Sequence, residues 1–236
     1  MEQIFTNYTK EDHAVWSVLF KRQQSNLQDK ACKDYLDALE NMSPVLHEKS
    51  IPQFLEINEW LEGSARWEIH CVPGLIPVGE FFQLLAQRKF CSSTWLRRLD
   101  QLDYLEEPDM FHDIFGHVPL LSNSTYSNFM HEFGKLGASV EHDLEMQIAL
   151  QRLYWFTIEF GLIQEDDLKI YGAGILSSFG ESNQCVKSMK KRHQFDLNQI
   201  ILKEYDTDVI QDEYFVIKSF EELYNSIEML IVKGKI

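Results

Sequence analysis

Apolar side chains recur at three- and four-residue intervals along most of the chain, which is the spacing that places them on one face of an α-helix. Such patterns cover residues 16–20, 35–39, 81–85, 126–133 and 144–162. The last is the longest predicted helix, and Gly161 lies near its expected end. The first two patterns predict a pair of helices near the N-terminus.

Short strands and turns are predicted between these helices. Trp67, Ile69 and Cys71 alternate with polar residues, as in a strand, and Pro73 with Gly74 predicts a turn after it. Residues 214–217 could form another short strand. Residues 171–180 carry three glycines and predict a shaped loop, because so many glycines disfavour a continuous helix.

Ser219 followed by Glu222 is a capping-box pattern, which predicts the start of a final helix. The predicted fold class is therefore mostly α with a few short β-strands. The 236 residues are expected to form a single domain, since this length is enough to bury a sizeable core.

The charge balance restricts the possible partners. Lysine and arginine total 22 against 37 aspartates and glutamates, which gives a formal net charge of −15. Such a chain is poorly suited to nucleic acids or an acidic membrane surface, because both are polyanions. A small-molecule ligand is the expected partner.

The cysteines indicate a reducing compartment. Cys32, Cys71, Cys91 and Cys185 are scattered and form no Cys-x-x-Cys pair. The first residues do not resemble a signal peptide, and no apolar run reaches about 18 residues. We therefore expect a cytoplasmic protein with no membrane association.

The chemistry-bearing residues begin with two histidines five positions apart. On a regular helix, side chains at this spacing diverge by about 140°. His112 and His117 would therefore converge only if the helix breaks near them. Gly116 and Pro119 predict this break, because proline disfavours α geometry at the preceding Val118. We place His112 in the helix and His117 at its unwinding end.

A carboxylate in an apolar segment completes the candidate site. Glu159 lies among aromatic and aliphatic residues, where an unpaired charge costs several kcal/mol, so it needs a partner. A salt bridge to Arg152 or to another helix is one possibility. A metal ion held with His112 and His117 is the favoured one, since two histidines and one carboxylate form a ferrous-iron site with open positions.

Other sites could use some of the same residues. A di-iron bundle needs two Glu-x-x-His motifs, which the chain lacks, and a structural zinc site would use more cysteine. A metal-dependent phosphohydrolase could use the His112–Asp113 pair with His70 and Asp143, but it leaves Glu159 unexplained. A non-catalytic metalloprotein that binds an amino acid is a further alternative.

Five segments in this order resemble the pterin-dependent aromatic amino acid hydroxylases, especially the bacterial phenylalanine enzymes. They are Val-Pro-Gly-Leu-Ile-Pro at 72–77, Trp-Leu-Arg-Arg at 95–98, His-Asp-Ile-Phe-Gly-His-Val-Pro-Leu at 112–120 within a longer match over 104–121, Leu-Tyr-Trp-Phe-Thr-Ile-Glu-Phe-Gly-Leu at 153–162 and Tyr-Gly-Ala-Gly-Ile-Leu-Ser-Ser-Phe-Gly-Glu at 171–181. The similarity extends over about residues 8–220.

The resemblance implies a reaction and its metal ligands. Members use Fe(II), a tetrahydrobiopterin-type cofactor and O2 to hydroxylate the ring of an aromatic amino acid. By this resemblance His112, His117 and Glu159 hold the iron, and Tyr154 lies close to it. Phenylalanine to tyrosine is the expected reaction, and tryptophan or tyrosine as substrate remains open.

The resemblance also implies two sets of binding residues. The residues expected near the pterin are Leu75, Ile76, Phe81, Glu107 and Asp113. Those expected around the amino acid are Arg97, Pro108, Trp155, Phe160, Gly174, Ser177 and Thr207. Arg97 is expected to pair with the amino acid carboxylate, which suits a guanidinium. Without the resemblance, the aromatic members could be ordinary core residues and Arg97 a surface charge.

The chain departs from the family pattern at a few positions. Cys91 and Leu105 replace the histidine and threonine of the animal phenylalanine enzyme, although leucine is typical of bacterial members. Thr207 replaces a valine or isoleucine of phenylalanine enzymes, or an aspartate of tyrosine enzymes. We also expect neither the regulatory domain nor the tetramerisation helix of animal members, and therefore a monomer or weak dimer.

Overall fold

The computed structural model describes residues 1–102, 107–187, 189–207 and 209–233. Its α-helices are α1 Lys10–Leu27, α2 Lys33–Asn41, α3 Phe54–Ser64, α4 Val78–Ala86, α5 Ser124–Ser139, α6 Leu144–Tyr154, α7 Ala173–Leu176, α8 Phe179–Gln184, α9 Leu197–Ile200 and α10 Phe220–Lys233. The strands are β1 Glu68–Cys71, β2 Lys89–Ser92, β3 Leu162–Gln164, β4 Leu168–Ile170, β5 Lys191–Gln194 and β6 Glu213–Ile217. The predicted mostly helical fold class is confirmed.

The strands form two small sheets. β1 and β2 pair in parallel, and the other four are ordered β4-β3-β6-β5. In the larger sheet β3 is antiparallel to β4, while β6 is parallel to both β3 and β5. Sequence patterns predicted β1 and β6, whereas the other short strands carried no clear alternation.

The predicted helices at both ends of the chain are present. Helix α1 begins with a capping box, in which the Thr9 side chain accepts a hydrogen bond from the Asp12 N–H and the Asp12 carboxylate accepts one from the Thr9 N–H. At α10, the Ser219 hydroxyl accepts a hydrogen bond from the Glu222 N–H, but the Glu222 carboxylate accepts one from Lys218 instead of Ser219. The predicted capping box at Ser219 is thus only half formed.

Two sequence predictions were wrong in detail. The helix predicted over 144–162 is regular only to Tyr154, and Leu162 already belongs to β3. The segment 171–180, predicted as a loop, contains α7 and the start of α8. Its glycines do not break these short helices, and two of them let neighbouring backbone approach closely, as at Gly172, where an added Cβ would lie 2.5 Å from the Glu159 carbonyl oxygen.

Aromatic packing supports the segment that contains the two histidines. The rings of Phe111 and Phe115 stack at 4.8 Å, and Trp16 and Phe20 of α1 pack edge-on against them at 5.4 and 5.2 Å. All four side chains are buried. The N-terminal helix therefore fixes the position of the backbone that presents the candidate metal ligands.

Candidate active site

Two turns of π-helix, His112–His117 and Trp155–Glu159, carry the three predicted metal ligands. A π-helix joins residues five apart by its hydrogen bonds, so side chains at this spacing lie on the same side of the helix. His112 and His117 therefore converge without a break. The prediction of an unwinding end was wrong, because Val118 keeps helical angles (φ −63°, ψ −39°) and Pro119 begins a turn of 3₁₀-helix.

Gly116 allows another element to approach this turn. A Cβ atom added at Gly116 would lie 2.8 Å from the carbonyl oxygen of Ala173 in α7. Only glycine permits this contact without displacement of α7. Gly116, which was predicted to break the helix, instead lets α7 pack against this turn. Ser177, at the end of α7, thereby lies next to His112.

The three candidate ligands meet at one point. The Nε2 atoms of His112 and His117 are 3.1 Å apart, and His117 Nε2 lies 3.1 Å from Glu159 Oε1. His112 Nε2 lies 3.6 Å from Glu159 Oε2. One ligand atom from each residue lies within 4.8 Å of the other two. A single ion could therefore be shared by all three.

Ser177 fixes the orientation of His112. Its hydroxyl donates a hydrogen bond to the Ala173 carbonyl at 2.8 Å and lies 2.9 Å from His112 Nδ1. Because the hydroxyl proton is used at Ala173, the Ser177 oxygen accepts a hydrogen bond from Nδ1–H. The proton on Nδ1 leaves Nε2 with its lone pair, as metal coordination requires.

Charge at the site suits a cation. Burial lowers the pKa of His112 to about 4, so its imidazole is neutral near pH 7. Burial alone would raise the pKa of Glu159, but the two histidines and a hydrogen bond from Tyr154 outweigh it and lower this pKa to about 2. Neutral imidazoles and an ionised carboxylate are the protonation states in which these residues bind metals.

The alternative partner for Glu159 is excluded by position. Arg152 of α6 donates from Nη1 to the carbonyl oxygen of Ile201, the residue after α9, at 3.0 Å. It forms no ion pair with Glu159, whose charged contacts are with His112 and His117. Within the described ranges, His112, His117 and Glu159 are the one group of three histidine, cysteine or acidic residues close enough to share an ion. The predicted phosphohydrolase set is therefore not assembled, since His70 and Asp143 do not join it.

A single cavity of about 640 Å³ brings together all of the predicted site residues. They are Leu75, Ile76, Phe81, Arg97, Glu107, Pro108, His112, Asp113, His117, Tyr154, Trp155, Glu159, Phe160, Gly174, Ser177 and Thr207. The volume lies in the range of small-molecule and cofactor sites. The candidate ligands thus face a space that a flat cofactor and an amino acid could enter.

Arg97 is buried and paired, contrary to the alternative of a surface charge. Its Nε and Nη2 atoms donate to the two carboxylate oxygens of Asp109 at 2.9 and 2.8 Å. Asp109 also accepts hydrogen bonds from the backbone N–H groups of Arg97 and His112. Asp109 uses the Nε–H and one Nη2–H of the guanidinium, so both N–H groups of Nη1 and the second of Nη2 remain for another carboxylate.

The cavity also contains two acidic side chains, Glu107 and Asp113. Glu107 Oε1 lies 3.4 Å from the N–H of Leu75, whose side chain is 75% exposed. Asp113 accepts a hydrogen bond from the Ser93 N–H at 2.9 Å, and its burial raises its pKa to about 8. Phe81 packs edge-on against Tyr154, with ring centroids 5.2 Å apart.

Comparisons with known proteins agree with this geometry. Residues 2–233 match the family described as biopterin-dependent aromatic amino acid hydroxylase. The chain belongs to this family. A phenylalanine-4-hydroxylase of Ralstonia nicotianae is 45% identical over 228 residues, which cover 96% of this chain and 72% of that protein.

Two further members of the hydroxylase family bear on the cofactors and the substrate. A crystal structure of Chromobacterium violaceum phenylalanine hydroxylase with bound iron(III) and oxidized 7,8-dihydrobiopterin has a TM-score of 0.91 and 42% identity, and covers 99% of this chain and 86% of that one. A tyrosine 3-monooxygenase of Schistosoma mansoni is 33% identical over 92% of this chain and 47% of its own.

Some residues of the cavity region were not predicted from sequence. Asp109 was missed because an acidic residue next to proline gives no sign of burial, yet its exposed fraction is zero. Glu181, Tyr205 and Gln211 were missed as well, because they become neighbours only when α8 and the segment before β6 meet. Leu105, noted above as a departure, lies outside the described residues.

No described helix combines the length and the apolar character needed to cross a membrane.

Proposed function

We propose that this protein is an Fe(II)- and tetrahydropterin-dependent monooxygenase that hydroxylates the ring of an aromatic amino acid, with phenylalanine converted to tyrosine. The convergence of His112, His117 and Glu159 on one point of the cavity wall carries the proposal. This ligand set is the one used by oxygen-activating ferrous enzymes, because it leaves coordination positions open.

His112, His117 and Glu159 would hold the metal. When bound, Fe(II) would activate O2 and the tetrahydropterin would supply two electrons, so that one oxygen atom enters the ring and the other is reduced to water. The protein binds and orients the reactants. Ser177 keeps the Nε2 lone pair of His112 directed at the metal position, and Tyr154 donates a hydrogen bond to Glu159.

Phe81 and the backbone of Leu75 and Ile76, which line the cavity, would hold the pterin. An aromatic ring at Phe81 suits a flat heterocycle, since offset stacking of rings is favourable. Glu107 and Asp113 supply polar groups for the edge of the pterin. The relative with bound 7,8-dihydrobiopterin supports this cofactor class for the present chain.

The amino acid would occupy the part of the cavity lined by Arg97, Trp155 and Phe160. Arg97 binds its carboxylate through the guanidinium that Asp109 fixes in place. Trp155 and Phe160, whose ring centroids are 4.6 Å apart, form an aromatic wall for the substrate ring. Pro108, Gly174, Ser177 and Thr207 complete this part of the cavity wall.

Phenylalanine is proposed ahead of tyrosine or tryptophan. The bacterial relatives named phenylalanine-4-hydroxylase are 40–45% identical to this chain, whereas the human phenylalanine-4-hydroxylase and the tyrosine 3-monooxygenase of Schistosoma mansoni are 34% and 33% identical. Thr207 replaces the residue type typical of each group, so its identity does not decide between them. A cytoplasmic location and a monomeric or weakly dimeric state stay predictions from the sequence.

The test is single-substrate turnover with defined cofactors. The purified chain is loaded anaerobically with Fe(II) and tetrahydropterin, and then ¹⁸O2 is admitted with phenylalanine, tyrosine or tryptophan in separate reactions. We expect tyrosine carrying one ¹⁸O atom from phenylalanine, detected by mass spectrometry.

Glu159→Ala should abolish both iron retention and product formation, because the site then lacks its anionic ligand. The matched control is Glu145→Ala, which removes an exposed glutamate from α6. Absence of hydroxylated product from all three amino acids, or normal turnover by Glu159→Ala, would contradict the proposal.

A further inference from the structure

A buried glutamine outside the cavity lining contacts Trp155, which forms the aromatic wall together with Phe160. Gln211 is 7% exposed and lies just before β6. Its Oε1 atom accepts a hydrogen bond from the indole Nε1–H of Trp155 at 3.2 Å. Gln211 is not among the described residues that line the cavity. It contacts Trp155, which does line it.

The amide nitrogen of the same side chain shapes the adjacent segment. Gln211 Nε2 donates to the carbonyl oxygens of Asp206 and Val209, both at 2.9 Å. These two bonds tie the backbone carbonyls of Asp206 and Val209 to the glutamine, and Thr207 and Val209 line the cavity. The Gln211 side chain therefore contacts Trp155, Asp206 and Val209 at the same time.

Tyr205 also lines the cavity and contacts Trp155 of the aromatic wall. It stacks on Trp155 with centroids 4.5 Å apart and planes 15° from parallel. Trp155 also contacts Phe160 and begins the π-helical turn that ends at Glu159. A change in the position of the indole would therefore alter the slot for a substrate ring next to the candidate metal ligand.

Gln211 is itself anchored by a buried acid. Its N–H donates to Glu181 Oε1 at 3.1 Å, and the hydroxyl of Tyr214 lies 2.7 Å from the same oxygen. Lys190 Nζ donates to the Gln211 carbonyl oxygen at 2.7 Å. Contacts with Glu181, Lys190 and Tyr214 thus fix its backbone.

We propose that Gln211 is a positioning residue that sets the width of the aromatic slot and thereby the preference among aromatic amino acids. This inference rests on the proposed function, because the slot is taken to hold the substrate ring. Gln211 acts through Trp155, Asp206 and Val209, without contact with the reactants. A rigid slot of fixed width favours a phenyl ring over the larger indole of tryptophan.

Gln211→Met tests the inference, since methionine keeps the volume but loses all three side-chain hydrogen bonds. The iron-loaded protein with tetrahydropterin is titrated anaerobically with phenylalanine by calorimetry, and steady-state kinetics follow in air. We expect the Kd and KM for phenylalanine to rise about tenfold. Iron affinity and the KM for tetrahydropterin should stay within about twofold of the parent.

Two further readouts separate positioning from a general loss of stability. The ratio of kcat/KM for tryptophan to that for phenylalanine should rise, because a loosened wall admits the larger ring. The fraction of oxidised pterin that yields hydroxylated amino acid should fall. Gln199→Met, the same change on the exposed surface of α9, should alter none of these quantities.

Gln211→Glu provides a second variant should the methionine variant fail to fold. It keeps the acceptor for Trp155 but replaces the amide donor with an oxygen that repels the carbonyls of Asp206 and Val209. The altered tryptophan-to-phenylalanine ratio should persist in this variant. A folded variant with unchanged phenylalanine affinity and ring preference overturns the inference, whereas absence of turnover by the parent chain overturns the proposed function instead.

Discussion

At the scale of single residues, each part of the site is held by a neighbour: Ser177 contacts His112, and Asp109 pairs with Arg97. Two histidines and a carboxylate in an apolar segment were sufficient to predict a metal site, because the charge of Glu159 requires compensation. Asp109 could not be foreseen, since its role depends on a bidentate contact with Arg97, twelve positions earlier. This pairing also means that Arg97→Ala would leave a buried carboxylate unpaired and destabilise the fold.

Ser177 is the residue whose supporting role is most directly testable. In Ser177→Ala, His112 Nδ1 loses its partner, so the imidazole is less firmly oriented and its Nε2 lone pair less well directed. We expect the affinity for Fe(II) to fall about 10–100-fold, as is usual when a hydrogen-bond partner of a metal-binding histidine is removed. Anaerobic titration with a competing chelator measures this affinity.

Ser139→Ala is the matched control for the serine. Ser139 also donates to a helix carbonyl, that of Leu136 at 2.8 Å, but it lies at the end of α5, outside the cavity. Its removal should leave iron affinity unchanged. Equal iron affinities for Ser177→Ala and the parent would show that the serine does not orient His112.

At the scale of elements, periodicity located most of the long helices but could not reveal the π-helical turns. A π-turn changes the spacing of side chains over only five or six residues, and its hydrogen bonds depend on packing against neighbouring elements. The helix predicted over 144–162 was therefore extended too far, past the turn that places Glu159. Helix α3 and strand β2 were missed because their patterns are short and mixed.

The contact between α4 and α5 depends on a glycine that sequence patterns did not explain. A Cβ atom at Gly137 would lie 2.2 Å from Cγ of Phe82, inside the ring contact. Gly137→Ala should therefore force the two helices apart and destabilise the protein by about 3 kcal/mol. This corresponds to a fall in Tm of roughly 6 °C or more, measured by calorimetry.

Gly63→Ala is the control for this substitution within a helix. An added Cβ at Gly63 meets no atom within 4 Å, and alanine is the better helix former, so stability should rise by up to about 1 kcal/mol. Equal unfolding temperatures for Gly137→Ala and Gly63→Ala would contradict the tight contact between α4 and α5.

At the scale of the whole molecule, the site is assembled from segments far apart in sequence. The histidines come from residues 112–117, the carboxylate from the turn after α6, and the supporting serine from the end of α7. The family resemblance indicated that these segments meet, and every residue it implied lies on one cavity. Composition alone indicated only the class of partner, since a net charge of −15 disfavours polyanions.

The central claim is that three side chains share a single ferrous ion. The most direct measurement is anomalous diffraction at the iron absorption edge from crystals loaded with Fe(II) without oxygen. We predict one strong peak per chain, within about 2.0–2.2 Å of Nε2 of His112 and His117 and of a Glu159 carboxylate oxygen, as for comparable metal–ligand bonds. A peak elsewhere, or one that lies beyond bonding distance of any of the three, would contradict the account.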